Sequence, residues 1–183
     1  MKRTLNLIGL NWILLLCVAA ASASETNTSQ ARIGVYDSRA VAYAHFWSAS
    51  YQTKLNHLMA SAKAAKQSGD TNSFGAKSEA LRSAQENSHR QVFSTAPVDD
   101  ALAAIKDRIP EIKKQAGVSV LVSKWDEKAL KENSKAEQVD VTDQLVREFI
   151  QPTEKQLKVI ESLRKAEPLP LEKCDELIRD GKI

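Results

Sequence analysis

The sequence is poor in the residues that usually mark a catalytic or cross-linked protein. Its 183 residues include six glycines, two cysteines and three histidines, and aromatic residues make up 5%. No Gly-rich loop of the kind that cradles phosphates occurs. His45, His57 and His89 are the only histidines; no two stand at i, i+4, and no H-E-x-x-H is present, so no metal site is expected. Asp37 and His45 could meet across a strand-to-helix turn, but a metal or acid/base role for them is not expected. No G-x-S-x-G elbow appears either. The sequence therefore predicts a protein without cofactor, metal or catalytic residues, and not an enzyme. Charge of one sign is also lacking: 26 basic residues face 23 acidic ones. That balance gives no basic stripe for nucleic acid.

Long apolar runs are missing everywhere except at the start. Lys2 and Arg3 precede an apolar stretch from Leu5 to Val18, and small residues follow it. Ala21-Ser22-Ala23 has the A-x-A form of a cleavage site, so residues 1–23 read as a secretory signal peptide with Ser24 as the new N-terminus. An uncleaved anchor would need about 20 strongly apolar residues, and Asn6 and Asn11 interrupt this one. A lipid anchor at Cys17 is disfavoured by Leu16, where a small residue belongs. No transmembrane span is expected in the mature chain. Cleavage removes Lys2, Arg3 and Cys17, leaving 24 basic against 23 acidic residues and a lone Cys174. A disulfide within one mature chain is then excluded. Cys174 reads as a buried filler, a free thiol or an intermolecular link.

About 160 residues are left, enough for one domain. Residues 24–31 form a polar leader containing the formal sequon Asn27-Thr28-Ser29. Ile33-Gly34-Val35-Tyr36-Asp37 reads as a strand, and Asp37-Ser38 offers a cap for a helix starting near Ala40. Tyr43, Trp47, Tyr51, Leu55, Leu58, Ala62 and Ala65 then recur at steps of three and four, one apolar stripe over more than six turns. Residues 68–73 are turn formers, and a second helix is expected from Phe74 to about Ser94. Together the two helices predict an antiparallel hairpin. Pro97 interrupts. Asp99 and Asp100 suit the first turn of the next helix, Pro110 divides it, and Gly117 closes it. Val118-Ser119-Val120-Leu121-Val122 is the clearest strand, followed by Trp125. Residues 138–141 suggest a third strand, after which Thr142 can cap a helix. Pro152 opens a further helix, Pro168-Leu169-Pro170-Leu171 is extended, and a last helix from Glu172 to Arg179 is closed by Gly181.

The expected fold is thus α+β and predominantly helical. A small antiparallel sheet carries a long helical hairpin inserted after its first strand, with the arm spanning about residues 40–116. A helical extension, 151–183, completes the chain. Ile33, Val35, Val118, Val120, Val122 and Trp125 are the candidate sheet core or oligomer contact. The stripe Tyr43, Trp47, Tyr51, Leu55 and Leu58 is either packing between the arms or a surface for clients.

The layout resembles the Skp/OmpH-type periplasmic chaperones. The resembling pieces are Ile33-Gly34-Val35-Tyr36-Asp37, the helical insertion, Ala116-Gly117-Val118-Ser119-Val120-Leu121-Val122, and Asp140-Val141-Thr142-Asp143 leading into a helix. Together they place a domain of that type at residues 24–150. The resemblance implies a homotrimer whose strands form a central body and whose arms hold unfolded outer-membrane proteins in the periplasm without ATP. Departures are the near-zero mature charge, Pro97 and Pro110 in the returning arm, and the tail from 151 onward. The alternative reading is an exported, non-catalytic structural or interaction protein of the envelope on the same fold.

Overall fold

The computed structural model describes residues 31–183. The expected signal peptide, its expected cleavage site and the sequon lie outside the described residues. In chain order the elements are β1 (Arg32–Tyr36), α1 (Ser38–Phe46), α2 (Ala49–Ser68), α3 (Thr71–Phe93), α4 (Asp99–Ala104), α5 (Ile109–Ala116), β2 (Val120–Ser123), α6 (Glu127–Glu132), β3 (Glu137–Asp140), α7 (Thr142–Phe149), α8 (Glu154–Lys165) and α9 (Leu171–Arg179). The chain is predominantly helical with one small sheet, in line with the expected class.

The sheet differs from expectation in direction. Its order is β2-β1-β3, and both pairings with β1 are parallel. Ile33 lies opposite Val120 on one side and Gln138 on the other. The antiparallel sheet is corrected to a parallel one. The reason lies in the connections. Parallel neighbours need a crossover, usually helical, that carries the chain back to the starting edge. Helices α1–α5 supply it between β1 and β2. The link from β2 to β3 holds α6, capped by Asp126, whose side chain accepts from Ala129 N. Gly34 makes the central strand possible. A Cβ there would come within 2.8 Å of Leu121 Cδ2 and 3.1 Å of both Val118 Cγ2 and Val141 Cγ2.

One continuous helix was expected through the aromatic stripe; the structure has two. α1 ends at Phe46, and Ser48 caps α2 by accepting from Tyr51 N at 3.2 Å. A hydroxyl that satisfies an orphan helix N–H starts a new helix, so the chain bends at Trp47–Ser48. At the far end Gly69 sits at φ 73°, and Asp70 N donates to Ala65 O while Gly69 N donates to Lys66 O. This is the paired closure that a left-handed glycine permits. Asp70 then caps α3 through Ser73 N at 3.0 Å. Two residues thus end one helix and start the next.

The core sits where α1, α4, α5 and α7 meet the sheet, around Val41, Val98, Ala101, Ile112, Val141 and Leu145. A second cluster joins Ala40, Ala44, Val146 and Ile160, which brings in α8. Residues 151–183 therefore pack on both parts of the fold: α8 on the body, and the segment from Leu169 onward on the base of α3, where Leu169 N donates to Phe93 O and Cys174, free and fully buried, lies against the carbonyl of His89. Thr142 does not cap α7. Its hydroxyl instead accepts from Asp37 N, 105 residues away, at 3.0 Å. No helix among the described residues is long and apolar enough to cross a membrane.

Candidate functional site

The aromatic spacing that runs across the α1–α2 bend produces an open groove at the root of the hairpin. Tyr43, Trp47, Tyr51 and Leu55 form one wall with Phe46 and Met59; Leu81, Ala84, Val92 and Phe93 of α3 form the other. The groove encloses about 780 Å³. Trp47 is 55% exposed, Met59 51% and Phe93 41%, an unusual concentration of large apolar side chains in water. Toward the tip, buried Ala62 and Ala65 lie on α2, so the hairpin narrows there. Leu58 is half-buried on α2 but does not line the groove. Met59, one four-residue step beyond Leu55, takes that place, and the step itself was the signal that could have found it. Phe46 and Phe93 were also missed.

Beneath the groove the rings interlock. His45 is buried among Phe46, Tyr51 and Phe149, with centroids 5.6, 5.0 and 5.2 Å away. Tyr43 and Trp47 rings stand 6.1 Å apart.

The proposed sheet-core residues divide. Ile33 and Val122 are buried and Val35 is half-buried; Val118 is buried just before β2 begins, and Val120 is 39% exposed. Trp125 is half-buried beyond the C-terminal end of β2, where a polar cluster gathers. Asp37 and Arg39 are 1% and 2% exposed in their side chains. Lys124 Nζ stands 2.6 Å from Asp37 Oδ2, Arg39 Nε 3.5 Å from Asp37 Oδ1, and Trp125 Nε1 donates to Asp37 Oδ1 at 3.4 Å. The Trp125 ring receives Arg39 at 4.8 Å and Lys124 at 4.5 Å, a stacking that cations favour over an indole. Arg39 also donates to the carbonyls of Leu163 and Ala166, and Lys124 to that of Arg164. Arg164 in turn binds Asp140 and Asp143.

Ligands of parallel sheets commonly sit at this carboxyl end, and a cleft of about 270 Å³ exists there. Its charges, however, are matched to one another and to the end of α8. Burial pushes Asp37 up, but the hydrogen bond and charge of Lys124, then Arg39 and Trp125, hold it below the usual carboxylate range. Ionised at neutral pH, Asp37 acts as a counter-ion for the buried cations. It does not meet His45, whose neighbours are aromatic rings. Among the described residues no group of three or more His, Cys, Asp or Glu could hold a metal ion.

No family model, curated protein or solved structure matches the chain. The likeness to the Skp/OmpH type therefore rests on the quoted residues alone.

Proposed function

We propose that this chain is an exported, ATP-independent holdase or assembly factor of the envelope, a homotrimer in the periplasm that binds unfolded outer-membrane proteins. The observation that carries the reading is the open apolar groove at the hairpin root. A groove walled by Tyr, Trp, Phe, Leu and Met can cover apolar residues of an extended segment without demanding one sequence, because flexible methionine and amphipathic aromatics adapt to many shapes. Charge supports it. Residues 49–93 hold six basic against three acidic residues, while the rest of the described chain holds 18 against 19. The arm is therefore the basic part, suited to acidic clients. Among the described residues the edge strands β2 and β3 each leave one side unpaired, and such edges are managed by covering or pairing. Pairing between copies would serve a trimer.

A decisive test is dilution of a urea-unfolded β-barrel protein into a stoichiometric amount of the chain, with turbidity as the readout. The native chain suppresses aggregation; a Trp47→Ser/Met59→Ser/Phe93→Ser variant, altered only at exposed positions, does not. Equal suppression by both would refute the groove. Light scattering coupled to size exclusion tests the trimer, and a monomer would remove that part of the reading.

The alternative, a specific non-catalytic envelope partner docking on the tail, is favoured by one observation. Val159 and Leu163 of α8, with Ala166 just beyond it, line a shallow apolar hollow. Val159→Glu, at the hollow itself, would abolish such docking and leave aggregation suppression intact.

A further inference from the structure

His45 occupies a mechanically sensitive place. It lies in the last turn of α1, directly before the bend that launches the hairpin. Its carbonyl accepts from Ser48 N at 3.0 Å, and the neighbouring Phe46 carbonyl accepts from Gln52 Nε2 at 2.7 Å. The ring stands edge-to-face with Tyr51 of α2 and Phe149 of α7, so it touches both the arm and the body. Phe46 and Tyr51, which it supports from below, line the groove. Its Nδ1 is fully buried and has no hydrogen-bond partner. An orphaned polar atom in an aromatic cage is costly.

We infer that His45 is a pH-sensitive pin between body and arm, and that its protonation loosens the hairpin root and opens the groove. The charged groups that reach the ring are few. Asp100, at the start of α4, favours the proton; Lys54 of α2 opposes it. α7 presents the Phe149 ring. Tyr51 is held neutral, its hydroxyl pushed up by burial and by Asp100. Burial dominates at His45 and holds its pKa below the ordinary histidine value. The sign follows. With the folded ring reluctant to take a proton, every state that releases the ring to water gains as pH falls below about 6.5. The gain ends once pH drops below the ring's folded pKa. The released state parts Tyr51 from Phe149 and frees the α1–α2 joint, while α1 itself stays anchored through Arg39. The device acts on the groove itself, whatever molecule the groove takes.

The test uses the chain from Ser24 onward and bis-ANS as an apolar probe. Between pH 7.5 and pH 5 the native chain should bind the probe more tightly, by up to about tenfold for each unit by which burial lowers the ring's pKa. His45→Phe and His45→Gln, which cannot titrate, should show the same affinity at both pH values. Proton NMR of the native chain should place the His45 midpoint below about 6.5, with Tyr51 resonances moving in the same transition. A His45→Gln variant that retains the native pH response would overturn the inference, as would a His45 midpoint at or above the ordinary value. If His45→Phe fails to fold, His45→Gln and the titration of the native ring decide the matter.

Discussion

Two adjoining helices of this chain are stabilised in opposite ways. α1 buries seven of its nine residues, among them Asp37's neighbour Ser38 and the guanidinium of Arg39. α2, beginning three residues after α1 ends, buries two of twenty, and α3 buries one of twenty-three. α1 is held by tertiary contacts: Val41 in the core, Ala40 and Ala44 against Ile160, and Arg39 clamped between Trp125 and the end of α8. The base of α3 is also held by tertiary contacts, through the Arg90–Asp175 pair, the Leu169 N to Phe93 O bond and Cys174 against His89; the rest of the hairpin relies on local devices. These are alanine-rich composition, the Ser48 and Asp70 caps, the Gly69 closure, and surface pairs such as Arg82 with Glu79 and Glu86. The difference teaches where function can reside. A region whose stability is local can change its partners without unfolding the body, and its one apolar concentration is free to be covered by something else.

The sharpest way to break the body without touching the hairpin is Asp37→Ala. It leaves two cations, Arg39 and Lys124, around an emptied position, and removes the cap of α1. Removing one partner of a buried pair costs about 3–5 kcal/mol, so the urea midpoint should fall steeply. The same carboxylate governs acid stability. Because its folded pKa lies below the ordinary 3.8, its contribution is complete above that value and is lost as pH falls through the folded pKa. Asp37→Ala should therefore flatten the acid limb of a stability–pH curve. Gly34→Val comes next. Its branched side chain would press into Leu121, Val118 and Val141, and overpacking of this kind costs about 1–3 kcal/mol.

Much of the hairpin was legible because its signals are local. The four-residue steps from Tyr43 to Leu55 and the Gly69-Asp70 turn each speak within a few residues. The body was less legible because its decisive contacts span the chain. Asp37 meets Thr142 across 105 residues and Arg39 meets Leu163 across 124. No spacing rule connects such positions. Strand direction was lost for a related reason. Strands of four or five residues show that a sheet exists, but only their partners tell which way they run. The helix α6 between β2 and β3, capped by Asp126, has six residues, mostly charged, too few for a periodicity that would announce a crossover. In the groove the same division holds: the α1–α2 wall was readable from periodicity, whereas Phe93 joins only because α3 returns alongside.

Smaller effects separate the two regions more finely. Gly69→Ala forces a Cβ into a left-handed position at φ 73° with open space around it. The penalty is then conformational, about 1–2 kcal/mol. Hydrogen exchange should show it as faster opening of the last turn of α2 and the first of α3, with core amides around Val41 and Leu145 unchanged. Uniform acceleration across the chain would mean that hairpin and body unfold as one unit.

The smallest effect is the most discriminating. Arg82 bridges Glu79 at 2.6 Å and Glu86 at 2.6 Å. The geometry is good, but the arginine is largely in water. Exposed pairs of this sort are screened by solvent and salt and contribute little. Arg82→Ala should thus leave the urea midpoint within error of the native chain. It nonetheless removes a guanidinium from the rim of the groove. If acidic clients are drawn to the arm by charge, Arg82→Ala will weaken their capture at low ionic strength and lose that effect at high salt. If the groove binds through apolar contact alone, capture will be unchanged at every salt concentration. One substitution with no consequence for folding can therefore say whether the basic arm and the apolar groove work on the same client.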